Sequence, residues 1–221
     1  MQEKCIIIDT NLYEKDFTKD KNISEEKIMC AKLDQLQGKT PEQLLAEAHI
    51  ATIPVDLAAL LRHFKIPIIP KDFSKIENES PEMKQFIKEN GRILGAVVVE
   101  NDDISIFYTK RDFIANIMFT IAHEIAHCCL HTAEIQNGHI QYKNDCKITT
   151  DEKEIAANEF AIRLLIPEMQ LHAEYTKLLV PLSDILAKKF RVPLNVMEKV
   201  LTTFNLPFYS PRQLIKWGVI K

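Results

Sequence analysis

The chain has 221 residues, of which 46% are hydrophobic, a composition that excludes a disordered protein and provides for one substantial core. Lysine and arginine number 28 against 31 aspartates and glutamates, giving a formal charge of -3 and no basic tract for nucleic-acid phosphates, so we expect no direct nucleic-acid partner. No apolar run is long enough to cross a bilayer and the N-terminus lacks the pattern of a signal peptide, so we expect a cytoplasmic protein without a membrane partner.

The cysteine content agrees with a cytoplasmic protein. The five cysteines are an odd number without a CxxC spacing, and two of them are adjacent in the chain. Such a set suits neither a disulfide framework nor a thiolate zinc site, and it predicts reduced, mostly buried thiols. The residues are Cys5, Cys30, Cys128, Cys129 and Cys146.

The N-terminal part of the chain predicts short helices. Apolar residues at helical spacing indicate helices at about 23–36, 41–50 and 55–64. The second of these follows Thr40, Pro41 and Gln43, which supply an N-cap, a first-turn proline and a capping-box partner.

A small sheet is predicted next. The run KIPIIP at 65–70 predicts a short edge strand because it is β-branched and lies between prolines, and a polar loop follows at 74–80. Two β-branched runs, 93–99 and 104–109, are separated by polar turn residues and predict a hairpin. The sheet therefore precedes the longest helix.

The C-terminal half predicts helices almost throughout. The longest helical pattern covers 111–131, and a polar loop at 132–149 separates it from a helix at 150–166 that ends before Pro167. Further helical segments are predicted at about 167–178, 182–190 and 194–204, with a short helix after Ser210 and Pro211.

The residues that indicate chemistry lie in the middle of the longest helix. His123 and His127, at i,i+4 spacing, stack on one helix face about 6 Å apart along the axis, where both imidazoles can reach one zinc ion. Glu124 is turned by about 100° from His123, so its carboxylate lies beside the metal and can accept a proton from a bound water. The HEIAH sequence predicts a zinc-dependent hydrolase with Glu124 as the catalytic base.

Two longer motifs carry a family resemblance. The stretches FTIAHEIAHCCLH (119–131) and EIAANEFAIRLLIP (154–167) resemble the zinc helix and the following helix of the ImmA/IrrE family of metallo-endopeptidases. Ile125 and Ala126 replace the leucine and glycine that are usual in that family. The resemblance covers about residues 40–205, and we divide the chain into an N-terminal extension, 1–39, and a zincin-like metallopeptidase domain with a helical tail, 40–221.

The resemblance implies both a fold and a function. The fold would be α+β and zincin-like, with a small sheet packed on the zinc helix, a second helix that brings the third ligand, and a helical C-terminal part. The function would be that of a cytosolic zinc endopeptidase, often encoded on phages or other mobile elements, which cleaves a helix-turn-helix repressor and so relieves repression of transcription. Because no DNA-binding domain is fused at its N-terminus, we expect the repressor to be a separate protein.

The helix at 150–166 offers four acidic residues as the third metal ligand, and three of them suit places away from the metal. Thr149 and Glu152 have the spacing of a capping box, which gives Glu152 a structural role. Glu152, Glu159 and Arg163 share one face, which we expect to be solvated. Asp151 lies in the first turn, where a carboxylate is favoured by the helix dipole.

Glu154 is the predicted third ligand. It lies on a face of small and apolar residues that permits a close approach to the zinc helix, and the family resemblance places the ligand glutamate at this position. The face comprises Glu154, Ala157, Asn158, Ala161 and Leu165. Asn158, one turn further, is expected to bind the carboxylate or a nearby group from outside the metal.

His131 is predicted to lie outside the coordination shell. Positions 123 and 131 of a straight helix are about 12 Å apart along the axis, too far for both side chains to bind one zinc ion. His131 is therefore expected to support or cap the site.

Three other interpretations compete with the zinc endopeptidase. Residues 5–11, CIIIDTN, look like the first strand of a PIN-type nuclease, but comparable acidic residues at later strands are missing. Residues 186–192 with the following helix mimic a DNA-binding helix-turn-helix whose lysines we expect to form a solvated face. The third is a zinc-binding protein that recognises a repressor or antitoxin without cleaving it.

Overall fold

The first described element of the protein lies where the predicted N-terminal extension ends. The structure, a computed structural model, describes residues 32–74, 81–100, 102–135, 141–144 and 151–218. Only the end of the predicted helix at 23–36 falls within these residues, and it is a 3-10 turn, Leu33–Gln35; residues 5–11 lie outside them. Leu33 and Leu36 are fully buried, and the Gly38 amide donates to the carbonyl of Cys129 over 2.8 Å. The segment 32–39 thus packs against the rest of the domain.

Two short helices follow, as predicted. Helix α1 is Pro41–Glu47, and its capping box joins Thr40 and Gln43 through two hydrogen bonds, of 2.8 and 3.3 Å. Helix α2 is Leu57–His63, and the Asp56 side chain caps it by accepting from the amide of Ala59. Their buried leucines join the main core.

A four-stranded mixed sheet forms one layer of the domain. The strands are β1, Ile68–Lys71; β2, Ile93–Glu100; β3, Asp103–Thr109; and β4, Gln141–Asn144. Their order is β1-β3-β2-β4, with β1 parallel to β3 and the other pairs antiparallel. The hairpin and the edge position of β1 are confirmed.

Two helices and one strand occur where none was predicted. Helix α3, Pro81–Asn90, precedes β2. The segment 132–149, predicted as a polar loop, contains β4 and one short helix, α5, Thr132–Ile135. Strand β4 is a polar tetrapeptide at the sheet edge, paired through its backbone with β2, so its side-chain pattern gave no signal.

The remaining helices follow the predicted order. Helix α4, Ile114–Leu130, is the longest in the described part of the chain, and it is followed by α6, Glu152–Leu165; α7, Glu168–Tyr175; α8, Ser183–Phe190; α9, Leu194–Thr203; and α10, Pro211–Lys216. Helix α10 begins with a capping box between Ser210 and Gln213. Among the described residues, no helix is long and apolar enough to span a bilayer.

Helix α4 lies at the centre of the fold. Every residue from Thr120 to Cys129 is buried, because the sheet packs on one side of α4 and α6 on another. Val97 and Ile106 reach this core from the sheet, and Ala161 reaches it from α6. The arrangement is the predicted α+β fold with a small sheet on the central helix.

Candidate metal centre

Helix α4 supplies two imidazoles to one point. His123 and His127 are one turn apart, and both side chains are fully buried. Their Nε2 atoms are 2.9 Å apart. The helical spacing that predicted the pair therefore brings two ring nitrogens together in the interior, on the side of α4 that faces α6.

Helix α6 adds a carboxylate at the same point. The Glu154 oxygens lie 3.3 Å from Nε2 of His123 and 3.2 Å from Nε2 of His127. One ligand atom from each of the three residues lies within 4.8 Å of the others, an arrangement that could bind a metal ion.

Small residues on both helices allow this close approach. Ala122 and Ala126 on α4, and Ala157 and Ala161 on α6, are all fully buried, and the two helices pack against each other. A short side chain at an interface position lets helix axes come closer than leucine or phenylalanine would allow. The apolar face that selected Glu154 in the sequence is therefore an interhelical contact in the structure.

The outer nitrogens of both histidines have partners of their own. Nδ1 of His123 lies 3.0 Å from Oδ1 of Asn158, and because this oxygen only accepts, His123 donates from Nδ1, which leaves Nε2 as the ring nitrogen that faces the cluster. Nδ1 of His127 lies 2.9 Å from Nδ1 of His131. Such outer hydrogen bonds fix the ring orientation and tautomer of metal-ligating histidines. Asn158 and His131 thus lie outside the three-residue cluster and contact it.

The charge of Glu154 suits a ligand. Burial alone would raise the pKa of its carboxyl group, but the hydrogen bonds and positive charge of His123 and His127 outweigh burial and lower the pKa well below its usual range. Glu154 is therefore ionised at neutral pH, and the deprotonated carboxylate is the form that binds a cation. The donor set of two imidazole nitrogens and one carboxylate oxygen fits zinc in a catalytic site.

Glu124 lies on a different side of α4. Its carboxylate is fully buried and lies near strand β2, next to Thr120 one turn before it. The three clustered residues face α6, whereas Glu124 faces the sheet. The Glu124 carboxylate is thus outside the cluster, on another side of the helix that carries the two histidines.

The two cysteines that follow His127 are not in the cluster. Cys128 and Cys129 are buried free thiols, as the sequence predicted. Burial raises the pKa of Cys128 well above its usual value and that of Cys129 to about 12. Both are therefore protonated at neutral pH, whereas a thiol must be deprotonated to bind a metal.

One detail of the predicted α6 is wrong. The N-cap is Asp151, whose side chain accepts from the Lys153 amide over 2.9 Å, and Glu152 is the first helical residue rather than the third. A capping box between Thr149 and Glu152 is excluded by this register, because the partner glutamate must lie in the third helical position.

The predicted solvated face of α6 is confirmed. Glu152, Glu159 and Arg163 are exposed. Arg163 donates over 2.8 Å to Glu42 on α1, an exposed contact between helices. These side chains point away from α4, which leaves Glu154 as the carboxylate of α6 within the cluster.

The comparison with known families agrees with this geometry. Residues 105–202 match the family model Peptidase_M78, described as the IrrE N-terminal-like domain. The matched segment extends from β3 to α9 and contains the clustered residues and Glu124. No curated protein matches the chain.

Proposed function

We propose that the protein is a zinc-dependent endopeptidase, because residues 105–202 match the IrrE N-terminal-like domain of the Peptidase_M78 family. The resemblance to the ImmA/IrrE family is confirmed by this match, and the family points to metallopeptidase chemistry. The observation that carries the proposal is the convergence of His123, His127 and Glu154 within 4.8 Å, with the buried carboxylate of Glu124 on the same helix as the two histidines.

The proposed cofactor is zinc. Two histidines and one glutamate are the protein ligands of several catalytic zinc sites, in which the fourth position remains open to water or substrate. When bound, zinc would lower the pKa of a water toward about 7 and polarise the carbonyl group of the scissile peptide. Asn158 and His131 would keep both imidazoles aimed at the ion through the hydrogen bonds to their outer nitrogens.

Glu124 is the proposed general base and acid. It follows His123 directly in the helix, so its carboxylate is one step around α4 from the ligand face. There it accepts the proton of the attacking water and then returns that proton to the nitrogen of the leaving amine. Peptide hydrolysis needs both transfers, and one carboxylate in one position performs them in sequence.

The proposed substrate is a helix-turn-helix transcriptional repressor in the cytoplasm, whose cleavage relieves repression. The support for this substrate is the family resemblance of the two motifs on α4 and α6. We expect the repressor to be a separate polypeptide, encoded next to this protein on a phage or another mobile element. The alternative function is that of a zinc protein that binds such a repressor or an antitoxin without cleaving it.

The test uses the purified full chain and the repressor of the neighbouring gene. Elemental analysis after zinc loading and removal of the excess should give about one zinc per chain. Glu124→Gln should retain this zinc and lose cleavage, because the amide is nearly isosteric but cannot accept a proton. Glu159→Gln, the same substitution at an exposed site of α6, is the control and should cleave normally.

Three outcomes would contradict the proposal. Absence of stoichiometric metal would exclude the zinc site. Cleavage by Glu124→Gln at the wild-type rate would exclude Glu124 as the general base. Zinc and repressor binding by the wild-type protein, with the repressor still intact after prolonged incubation, would favour the non-catalytic alternative.

A further inference from the structure

Strand β2 lacks a side chain where it crosses the central helix. Side chains two residues apart share one face of a strand, so Gly95 lies in the same row as Val97 and Val99, which both enter the main core. Gly95 is buried like these two valines. Its φ angle does not lie in the left-handed region, so backbone conformation does not explain the glycine.

Space explains it. A Cβ atom at position 95 would lie 2.5 Å from Cγ2 of Thr120, 2.9 Å from Oε1 of Glu124 and 3.3 Å from the carbonyl oxygen of Phe107. Real Cβ atoms essentially never come within 3.0 Å of another heavy atom, so two of these contacts are forbidden. The volume that any other residue would fill here is occupied by the methyl group of Thr120 and the carboxylate of Glu124.

The sheet is irregular at the same point. Ile93 pairs with Asn144 and Gly95 with Lys143, so β2 has one residue more than β4 between these pairs. An extra residue in one strand is a β-bulge, which bends the strand and increases its local twist. The bend and the missing side chain occur together where β2 lies over Glu124.

We infer that Gly95 is a positioning residue for Glu124: the absence of a side chain at this position leaves the space that the Glu124 carboxylate occupies between α4 and β2. The inference rests on the proposed function, since Glu124 is the base of that reaction. A base must lie within hydrogen-bond reach of the proton it accepts, and supporting residues must keep it there within about 0.5 Å. A methyl group at position 95 would displace the carboxylate from this place.

The location of Gly95 allows an effect on turnover to be distinguished from an effect on metal binding. The three atoms nearest to a Cβ at this position belong to Thr120, Glu124 and Phe107, and none belongs to a clustered ligand. His123, His127 and Glu154 meet on the side of α4 that faces α6. A substitution at Gly95 should therefore impair catalysis while the metal stays bound.

The experiment removes the Thr120 contact so that the Glu124 contact can be tested alone. Thr120→Ser deletes Cγ2, the atom of the shortest contact, and serves as the matched control with normal turnover. The double variant Gly95→Ala with Thr120→Ser then retains the clash with the carboxylate. We expect it to bind one zinc and to lose about a hundredfold in kcat with KM nearly unchanged, the effect of a small misplacement of a catalytic group. A wild-type kcat in this folded variant would overturn the inference.

A second measurement does not depend on peptidase activity. Denaturation midpoints of the metal-free chain are compared for Gly95→Ala in the Thr120→Ser background, with Glu124 present and with Glu124→Ala. If the added methyl group displaces the carboxylate, the midpoint falls less when the carboxylate is absent. An equal fall in both backgrounds would overturn the inference, even if the enzyme is active. A smaller fall of the midpoint in the Glu124→Ala background, together with no cleavage by the wild-type protein, would support the steric role of Gly95 and contradict the proposed function.

Discussion

Two pairs of packed helices, α4 with α6 and α8 with α9, resemble each other in their packing and differ in the polar groups that they bury. In both pairs, two helices pack through fully buried residues. Leu186, Phe190, Met197 and Leu201 fill the interior of the second pair. The first pair also buries large apolar residues, such as Ile125 and Leu164, but it combines them with four fully buried alanines and two fully buried histidines, so polar groups occupy part of its interior.

The charged residues differ in the same way. In α8, Lys188 contacts Asp184 over 3.0 Å, and Lys189 contacts Glu174 of α7. Both lysine side chains are exposed, and an exposed ion pair such as Lys188–Asp184 contributes little to stability. In α4/α6, the polar side chains lie inside and converge. The comparison teaches that burial and convergence of polar groups, rather than their number, distinguish the functional helix pair, and three substitutions test it.

Glu154→Ala should have the largest effect on the metal centre. Loss of one of three protein ligands should weaken zinc binding about a thousandfold or more, measured by competition with a chelating indicator. Glu152→Ala and Glu159→Ala are matched controls on the exposed face of the same helix and should bind zinc normally. If His131→Ala lost zinc and Glu154→Ala retained it, the assignment of Glu154 as the third ligand would be wrong.

Phe190→Ala should affect stability and leave the metal in place. The side chain is fully buried, and such truncations cost about 3–5 kcal/mol of unfolding free energy, measured by equilibrium denaturation. Ile185→Ala, on the more exposed side of α8, should cost less than about 1 kcal/mol. A change in zinc affinity of folded Phe190→Ala as large as that of Glu154→Ala would show that the two helix pairs do not function separately.

Asn158→Ala should have the smallest effect of the three. It removes the hydrogen bond to Nδ1 of His123 and leaves every ligand atom present, and such outer-partner losses weaken metal binding about 10- to 100-fold. His131→Ala should weaken binding by a similar factor while zinc still binds at one per chain. Unchanged affinity in Asn158→Ala would show that packing alone orients His123.

Local signals in the sequence predicted most of the fold. The capping box at Thr40 and the Ser210–Pro211 pair predicted two helix starts, and both helices begin there. Strand β4 was missed because it is short, polar and defined by pairing with β2, which is distant in the chain. The N-cap of α6 was misplaced because Thr149 and Asp151 are both good capping residues, and their order alone does not select one.

For the candidate site as well, the local features were predicted and the features that depend on tertiary packing were not. The i,i+4 spacing predicted that His123 and His127 meet, and the small-residue face of α6 selected Glu154. That Asn158 bonds to His123 depends on how α4 and α6 cross, which the sequence pattern does not define. The contact of Gly95 with Glu124 depends on the packing of a bulged strand over a helix. The sequence shows only a glycine within a β-branched run, which by itself does not indicate what lies opposite it.

The burial of the three clustered residues has a consequence for the kinetics of the proposed zinc site. The side chains of both histidines are fully shielded from solvent, whereas that of Glu154 is 21% exposed. Of the three clustered side chains, that of Glu154 is therefore the one that solvent reaches, and we expect a metal ion to enter and leave past its carboxylate. On this route Glu154 would affect the rate of metal exchange as well as the affinity.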